Sequence, residues 1–312
     1  MTRANRWIAT EFGGPEVLEL VEVELPAPSP GEVMLEVRAA GMNPADLLHL
    51  NSGDPASLPL TVGYEAAGVL TAVGPDTAIA CGKAAAGDEV IAFQIIGAYA
   101  SAVTVAAGSV FAKPANLTFA EAATLLLVGT TAAEMLDVTN VARGETIVVH
   151  GASGAVGLSV LQQARLLGAR VIGTASSVKF DTLTALGAIP VQYGTGLEDR
   201  IRALAPEGVH ACLDTVGTDE AVDVSLRLVA DRSRVVSIAA FGRSNEGFPL
   251  LGAGNPSSGP FRESARARIL ELAANGELVS TIAATFSMSQ AREALTALGR
   301  PHGSGKLALV AD

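Results

Sequence analysis

The chain has 312 residues, 49% of them hydrophobic and 17% charged, which is ample apolar material for two buried cores and too little charge for a disordered chain. A formal net charge of −11 opposes a nucleic-acid backbone as partner. Cys81 and Cys212, the only two cysteines, sit in no CxxC or other ligand cluster, which speaks against a disulfide scaffold or a zinc site and fits a reducing, cytoplasmic compartment.

The N-terminus runs quickly into Glu11 and the turn Gly13-Gly14-Pro15 without an apolar stretch, so no secretory signal is expected. Leu18 to Val23 alternates acidic and apolar residues, as a half-buried strand does. Pro26, Pro28 and Pro30 interrupt it and Gly31 closes the turn. Glu32 to Ala40 alternates again, with Val33, Leu35 and Val37 on one face. Val69–Val73, Glu89–Phe93 and Ala102–Val105 read as further short strands, and together they predict a compact barrel-like β domain. Val90 to Ala112 carries no charge and is long enough to span a bilayer. Gln94, Gly97, Ser101, Thr104, Gly108 and Ser109 interrupt it, so it is read as two buried strands joined at Gly97, and no membrane partner is expected.

Past Pro114 the texture changes. Thr118 and Glu121 form a capping-box signature for a helix start. From Gly144 strands and helices alternate: strand Thr146–His150, helix Ala155–Leu167 ended by Gly168, strand Arg170–Thr174, helix Phe180–Leu186 ended by Gly187, then strands at Ile189–Val191, Val209–Leu213 and Arg234–Ile238. This pattern predicts a parallel sheet with helices on both faces. Phe241 to Pro260 is rich in Gly, Ser, Asn and Pro and reads either as a long functional loop or as an inter-domain return. Helix Glu263–Ala274, strand Ile282–Phe286, helix Gln290–Ala297 and strand Lys306–Val310 follow.

The most informative segment is Thr146 to Gly157, where a strand runs into Gly151, Ser153, Gly154, Ala155, Val156 and Gly157 and then a helix. Glycine permits the turn off the strand, lets backbone approach a pyrophosphate, and lets the helix pack close to the sheet. The free N–H groups at the helix start face the phosphates. This context points to a nicotinamide dinucleotide. After the next strand, Gly173 to Lys179 offers Ser176, Ser177 and Lys179 but no Asp or Glu. That set suits a ribose 2′-phosphate better than a 2′-hydroxyl, so NADPH is the expected cofactor; an ordinary solvated loop is the alternative.

The chain resembles the zinc-independent quinone oxidoreductases of the medium-chain dehydrogenase/reductase superfamily along nearly its whole length. The marks are Gly13 to Leu18, Gly41-Met42-Asn43-Pro44-Ala45-Asp46, Gly63-Tyr64-Glu65-Ala66-Ala67-Gly68, Gly87 to Val90, Gly129-Thr130-Thr131-Ala132, the turn from His150 to Gly157, and Gly305-Lys306. The resemblance implies an α/β fold: a GroES-like catalytic domain over 1–118, a Rossmann domain over 119–255 and a return to the catalytic domain over 256–312, with the active site in the cleft between them. It places Asn43 near nicotinamide and substrate, and Thr130 facing the nicotinamide. Lys179 and Tyr193 lie around the adenosine 2′-phosphate, and Gly217 lies on the turn bordering the cofactor.

Zinc-dependent relatives carry a cysteine where Gly41-Met42-Asn43 stands and a histidine where Tyr64 stands, so no metal ligand set is expected. Hydride transfer to a quinone or an α,β-unsaturated carbonyl is the implied chemistry, with an enoyl-thioester reductase or a non-catalytic NADPH-binding protein as alternatives. Two tyrosines found in such reductases are replaced here by Leu47-Leu48-His49 and Asn51 to Asp54. Tyr64 is therefore the candidate proton donor, with water next and a mere wall residue as the other reading. The four histidines read as surface or packed residues. A homodimer through the Rossmann sheet edges is expected by family analogy.

Overall fold

The structure is a computed structural model that describes residues 1–252 and 257–312. The chain forms two compact units, Met1–Leu127 with Ile282–Asp312, and Val128–Thr281.

The first unit is strand-rich. Its N-terminal part holds β1 (Thr2–Ala9), β2 (Leu18–Leu25), β3 (Glu32–Gly41), helix α1 (Pro44–Asn51), β4 (Leu60–Thr61), β5 (Glu65–Val73), β6 (Glu89–Phe93), β7 (Ala102–Ala106), β8 (Val110–Ala112) and the short helix α2 (Phe119–Ala123). Helix α3 (Leu126–Val138) runs across the division between the units. In the second unit come β9 (Thr146–His150), α4 (Ala155–Leu167), β10 (Arg170–Ala175), α5 (Phe180–Ala185), β11 (Ile189–Gln192), α6 (Leu197–Leu204), β12 (Ala211–Asp214), α7 (Asp219–Leu228), β13 (Val235–Ser237) and α8 (Ser258–Ala274). The chain ends in the first unit with β14 (Ile282–Ser287), α9 (Ala291–Leu298) and β15 (Lys306–Val310).

In the first unit, β2-β1-β4 form one sheet and β14-β15-β3-β5-β6-β8 the other, with β7 also paired to β3. The C-terminal β15 lies antiparallel against β3, pairing Ala308 with Gly41 and Leu309 with Ala40. That register brings Lys306 to the segment just after β3. The indole of Trp7 donates to the Met288 carbonyl at 2.8 Å, and the Arg292 guanidinium lies over the same ring and donates to the Leu18 carbonyl. The two ends of the chain are thereby fastened into one core, which includes Leu35, Met42, Tyr99 and Leu309.

The second unit is a parallel sheet of order β11-β10-β9-β12-β13. Its strands alternate faces, as the pleat requires. Ile147 and Val149 of β9 pack with Met135 of α3, Leu158 and Leu161 of α4 and Leu183 of α5. Val148, between them, packs on the other side with Leu197 and Ile201 of α6 and Val222 of α7. The expected helices on both faces are present. The strand order reverses at β9, and ligands of such sheets bind past the carboxyl ends of the strands at that switch point.

Three sequence expectations need correction. Val90 to Ala112 is not two strands joined at Gly97 but parts of three: β6 pairs with β5 and β8, whereas β7 pairs with β3. Gly97 lies in the connection, at φ +90°. Among the described residues no helix is long and apolar enough to cross a membrane. The helix expected from Glu263 begins five residues earlier at Ser258, because Ser258 and Arg262 both bind the buried Glu134 carboxylate of α3. The expected loop from Phe241 to Pro260 holds a 3₁₀ turn over Phe241–Glu246 and a parallel bridge from Leu250 to Ser237; residues 253–256 of it lie outside the described residues.

Candidate functional site

The turn from Gly151 to Gly157 follows β9 and caps α4. Gly151 sits at φ +70°, and a Cβ there would meet Thr215 Oγ1 at 2.6 Å. At Gly157 a Cβ would lie 2.5 Å from the Gly151 carbonyl oxygen, so both positions require glycine. Gly154 is the N-cap of a thirteen-residue helix and no side chain caps it. The first-turn N–H groups of Ala155, Val156 and Gly157 therefore face outward with the positive end of the helix dipole behind them. Neighbouring side chains serve this backbone: the Gly151 N–H donates to Thr174 Oγ1 at 3.2 Å, and Thr215 Oγ1 donates to the carbonyls of His150 and Gly151. The donor cradle fits a dinucleotide pyrophosphate. Ser153 lies in the same turn, half-buried.

The adjoining turns carry the other expected residues. Ala175 of β10 pairs with Gln192 of β11, so Ser176 and Tyr193 leave the sheet side by side. Ser177 and Lys179 form a 3₁₀ turn just after, and Tyr193 is 55% exposed. Arg200 holds the 192–195 turn by donating to the carbonyls of Gln192, Gly194 and Thr195. Gly217, at φ +71°, and Val216 donate their N–H groups to the Asp214 carboxylate, which also accepts from Ser237. Beneath the turn His150 is fully buried, and burial holds its imidazole down at about 4, so it is neutral. Thr130 is fully buried in α3.

Asn43 and Tyr64 lie in the first unit. Asn43 is the N-cap of α1, with Pro44 at the first helical position, and its N–H donates to Asp46 Oδ2 at 2.7 Å. Its side-chain amide is committed to charged partners: Nδ2 donates to Glu65 Oε1 at 3.1 Å and Oδ1 accepts from Lys306 Nζ. Lys306 is paired with Glu65 at 2.9 Å, their side chains only 4% and 1% exposed, and also donates to the Met42 carbonyl at 2.7 Å. Glu65 Oε2 accepts from the Leu127 N–H. Gly41 makes room, since a Cβ there would lie 2.5 Å from Glu65 Oε1. Beside this pair, Asp46 accepts from Tyr99 at 2.9 Å. Complete burial raises the Asp46 carboxyl to about 7, and burial also pushes the Tyr99 phenol up. Neither Glu65 nor Lys306 was singled out from sequence by its chemistry, although both stand inside the quoted motifs.

Tyr64 is half-buried, and its hydroxyl lies 2.9 Å from His49 Nδ1. The two rings stack, with centroids 5.9 Å apart and planes 24° apart. Burial, then the nearby Asp46 charge, raise the Tyr64 phenol to about 12. His49 is thus a packed histidine, half-buried in the last turn of α1 and joined to Tyr64 just ahead of β5.

The positions that would carry zinc ligands hold an amide bonded to an ammonium and a phenol bonded to an imidazole. Among the described residues no cluster of three His, Cys, Asp or Glu side chains could hold a metal ion. With Lys306 already neutralising Glu65, the donor set does not fit Zn²⁺.

Two family models match the chain: "Alcohol dehydrogenase GroES-like domain" over residues 29–115 and "Zinc-binding dehydrogenase" over residues 155–255. The chain is 40% identical over 173 residues to quinone oxidoreductase of Rattus norvegicus, covering 54% of this chain and 51% of that one. It is 37% identical over 218 residues to the synaptic vesicle membrane protein VAT-1 homolog of Mus musculus, covering 67% of this chain and 53% of that one. It thus spans about half the length of the curated relatives it matches. Among solved structures it is similar to the Escherichia coli quinone oxidoreductase complexed with NADPH, at 28% identity and a TM-score of 0.82 over 97% of this chain and 99% of that one.

Proposed function

The chain belongs to the medium-chain dehydrogenase/reductase superfamily as a quinone oxidoreductase-like member, and from that premise we propose that it reduces a quinone or an α,β-unsaturated carbonyl with NADPH, without zinc. The observation that carries this reading is the Gly151–Gly157 cradle at the switch point of the parallel sheet, continued by a second turn that holds Ser176, Ser177 and Lys179 and no acid. The three-part domain reading of 1–118, 119–255 and 256–312 belongs to the same proposal, with the compact units dividing instead after Leu127 and after Thr281, as does a cytoplasmic location.

Each group then has a task. The N–H groups of Ala155, Val156 and Gly157 hold the pyrophosphate, with Ser153 and Gly217 on the flanking turns. Ser176, Ser177, Lys179 and Tyr193 donate to the 2′-phosphate, and the Lys179 ammonium gives it a charge-assisted bond. When bound, the dihydronicotinamide supplies the hydride; Thr130 faces that end of the cofactor. Asn43, fixed between Glu65 and Lys306, orients the acceptor side. Tyr64 Oη protonates the oxygen that becomes anionic, since hydride addition leaves one negative charge to be neutralised.

The test is NADPH oxidation measured against panels of quinones, enones and acyl-thioesters, with and without EDTA. Turnover of quinones or enones, unchanged by EDTA, is expected. Turnover of thioesters alone identifies an enoyl-thioester reductase, and tight NADPH binding with no turnover identifies a non-catalytic binding protein. The homodimer proposal meets two blunted sheet edges: Pro190 in β11 cannot donate, and Ser237 in β13 is already paired through Pro249 and Leu251. A monomer by light scattering at micromolar concentration would remove it.

A further inference from the structure

We propose that His49 is the proton reservoir behind Tyr64: once Tyr64 has protonated the reduced acceptor, the His49 imidazolium returns a proton to the phenolate through Nδ1. This inference rests on the reductase reading above.

The geometry is that of a tertiary pair. His49 stands in the last turn of α1 and Tyr64 just ahead of β5, yet the hydroxyl lies 2.9 Å from the ring nitrogen and the rings stack. A stacked, bonded ring has little freedom to turn away, so the proton path between Oη and Nδ1 is a standing one. The end of a helix favours a cation, because the carbonyl ends of the peptide dipoles point there. His49 stands in that last turn. Both residues are only half-buried, so Tyr64 can reach an acceptor and His49 can be recharged by water. Tyr99 makes the contrast: it is fully buried and already donates to Asp46.

A phenol by itself is a reluctant donor near neutral pH, and here it is more reluctant still. The groups that act on Tyr64 are burial and the Asp46 charge, and both oppose the phenolate. A donor at Nδ1 offsets that cost at the moment the phenolate forms. The remaining charges of this region, Glu65 and Lys306, are paired with each other.

The step balances. The bound dihydronicotinamide would supply a hydride to the electron-poor atom of the acceptor, and the displaced electron pair would move to its carbonyl oxygen. The Tyr64 O–H bond breaks as a proton joins that oxygen. The His49 Nδ1–H bond breaks as a proton joins the phenolate oxygen. His49, left neutral, takes a proton from solvent. The acceptor gains two electrons and the nicotinamide loses two.

The test compares wild type, His49→Gln, Tyr64→Phe and the double variant by kcat and KM between about pH 5 and 8, the range in which a histidine changes charge. Glutamine can still hydrogen-bond the phenol but cannot carry a proton. His49→Gln is expected to lower kcat roughly tenfold to a hundredfold, to leave both KM values in place, and to abolish the fall of kcat with rising pH that is expected of wild type. The double variant is expected to be no slower than Tyr64→Phe alone, because the two residues act as a unit. A wild-type pH profile and kcat in His49→Gln, or losses that multiply in the double variant, overturn the inference and leave the reductase reading standing. Absence of turnover by wild type with every acceptor overturns both.

Discussion

The two units build their sites from different parts of the chain. In the sheet unit the candidate cofactor cradle is backbone: Gly151 and Gly157 make room, α4 offers its N–H groups, and Thr174, Thr215 and Asp214 hold the turns. In the strand-rich unit the site is buried ionisable side chains, Lys306, Glu65 and Asp46, with the Asn43 amide bonded to the first two, drawn from β15, β5 and the start of α1. A phosphate is well served by aligned N–H dipoles that need no counter-charge of their own. A charged side chain out of water survives only with every partner in place. The first kind of site should therefore tolerate side-chain changes but not added volume, and the second should do the reverse.

The largest expected effect follows from breaking the buried pair. Lys306→Met leaves the Glu65 carboxylate uncompensated, and urea unfolding should show a loss of about 3–5 kcal/mol. Changing both residues, with Glu65→Leu added, should recover much of that loss. A single variant as stable as wild type would show that the pair is dispensable. Next comes the cradle. Gly157→Val forces its side chain onto the Gly151 carbonyl and Ala152, so calorimetry should show NADPH binding weakened by at least about a hundredfold, with circular dichroism unchanged. Unweakened binding would place the cofactor elsewhere.

A smaller effect separates the units by pH. Asp46 has a folded pKa raised from 3.8 to about 7, so the unfolded chain releases that proton first and the stability tied to it is lost as pH rises across this window. His150 has a folded pKa depressed from 6.5 to about 4, so its contribution is present above 6.5 and lost as pH falls toward 4. Thermal midpoints across pH 4–8 should therefore lose their neutral-side decline in Asp46→Asn and part of their acid-side decline in His150→Gln. Variants that both track wild type at all pH values would show that neither burial matters.

The same contrast explains what was legible in the sequence. The cradle is local: β9 and α4 have the bounds read from β-branched residues, glycine spacing and the stop at Gly168, and the Thr118–Glu121 capping box is present as read. β1 escaped because its buried residues, Ala4, Trp7 and Ala9, do not alternate. Helix α1 is short, though Asn43, Pro44 and Asp46 formed a readable start. The charged network could not be read from spacing, since Lys306 and Asn43 stand 263 positions apart and meet only through the β15–β3 register. The His49–Tyr64 pair was missed for the same reason: nothing local announces a contact across a helix and a turn.

The measurement that bears most directly on the account is a calorimetric titration of NADPH and NADH into wild type and Lys179→Ala at one fixed ionic strength. A charge-assisted bond to the 2′-phosphate contributes about 1.5–3 kcal/mol, or roughly tenfold to a hundredfold in affinity. Wild type is expected to bind NADPH more tightly than NADH by that factor, and Lys179→Ala is expected to lose it through NADPH alone. Equal affinities in wild type, or an unchanged ratio in Lys179→Ala, would contradict the claim that the turn after β10 reads the phosphate.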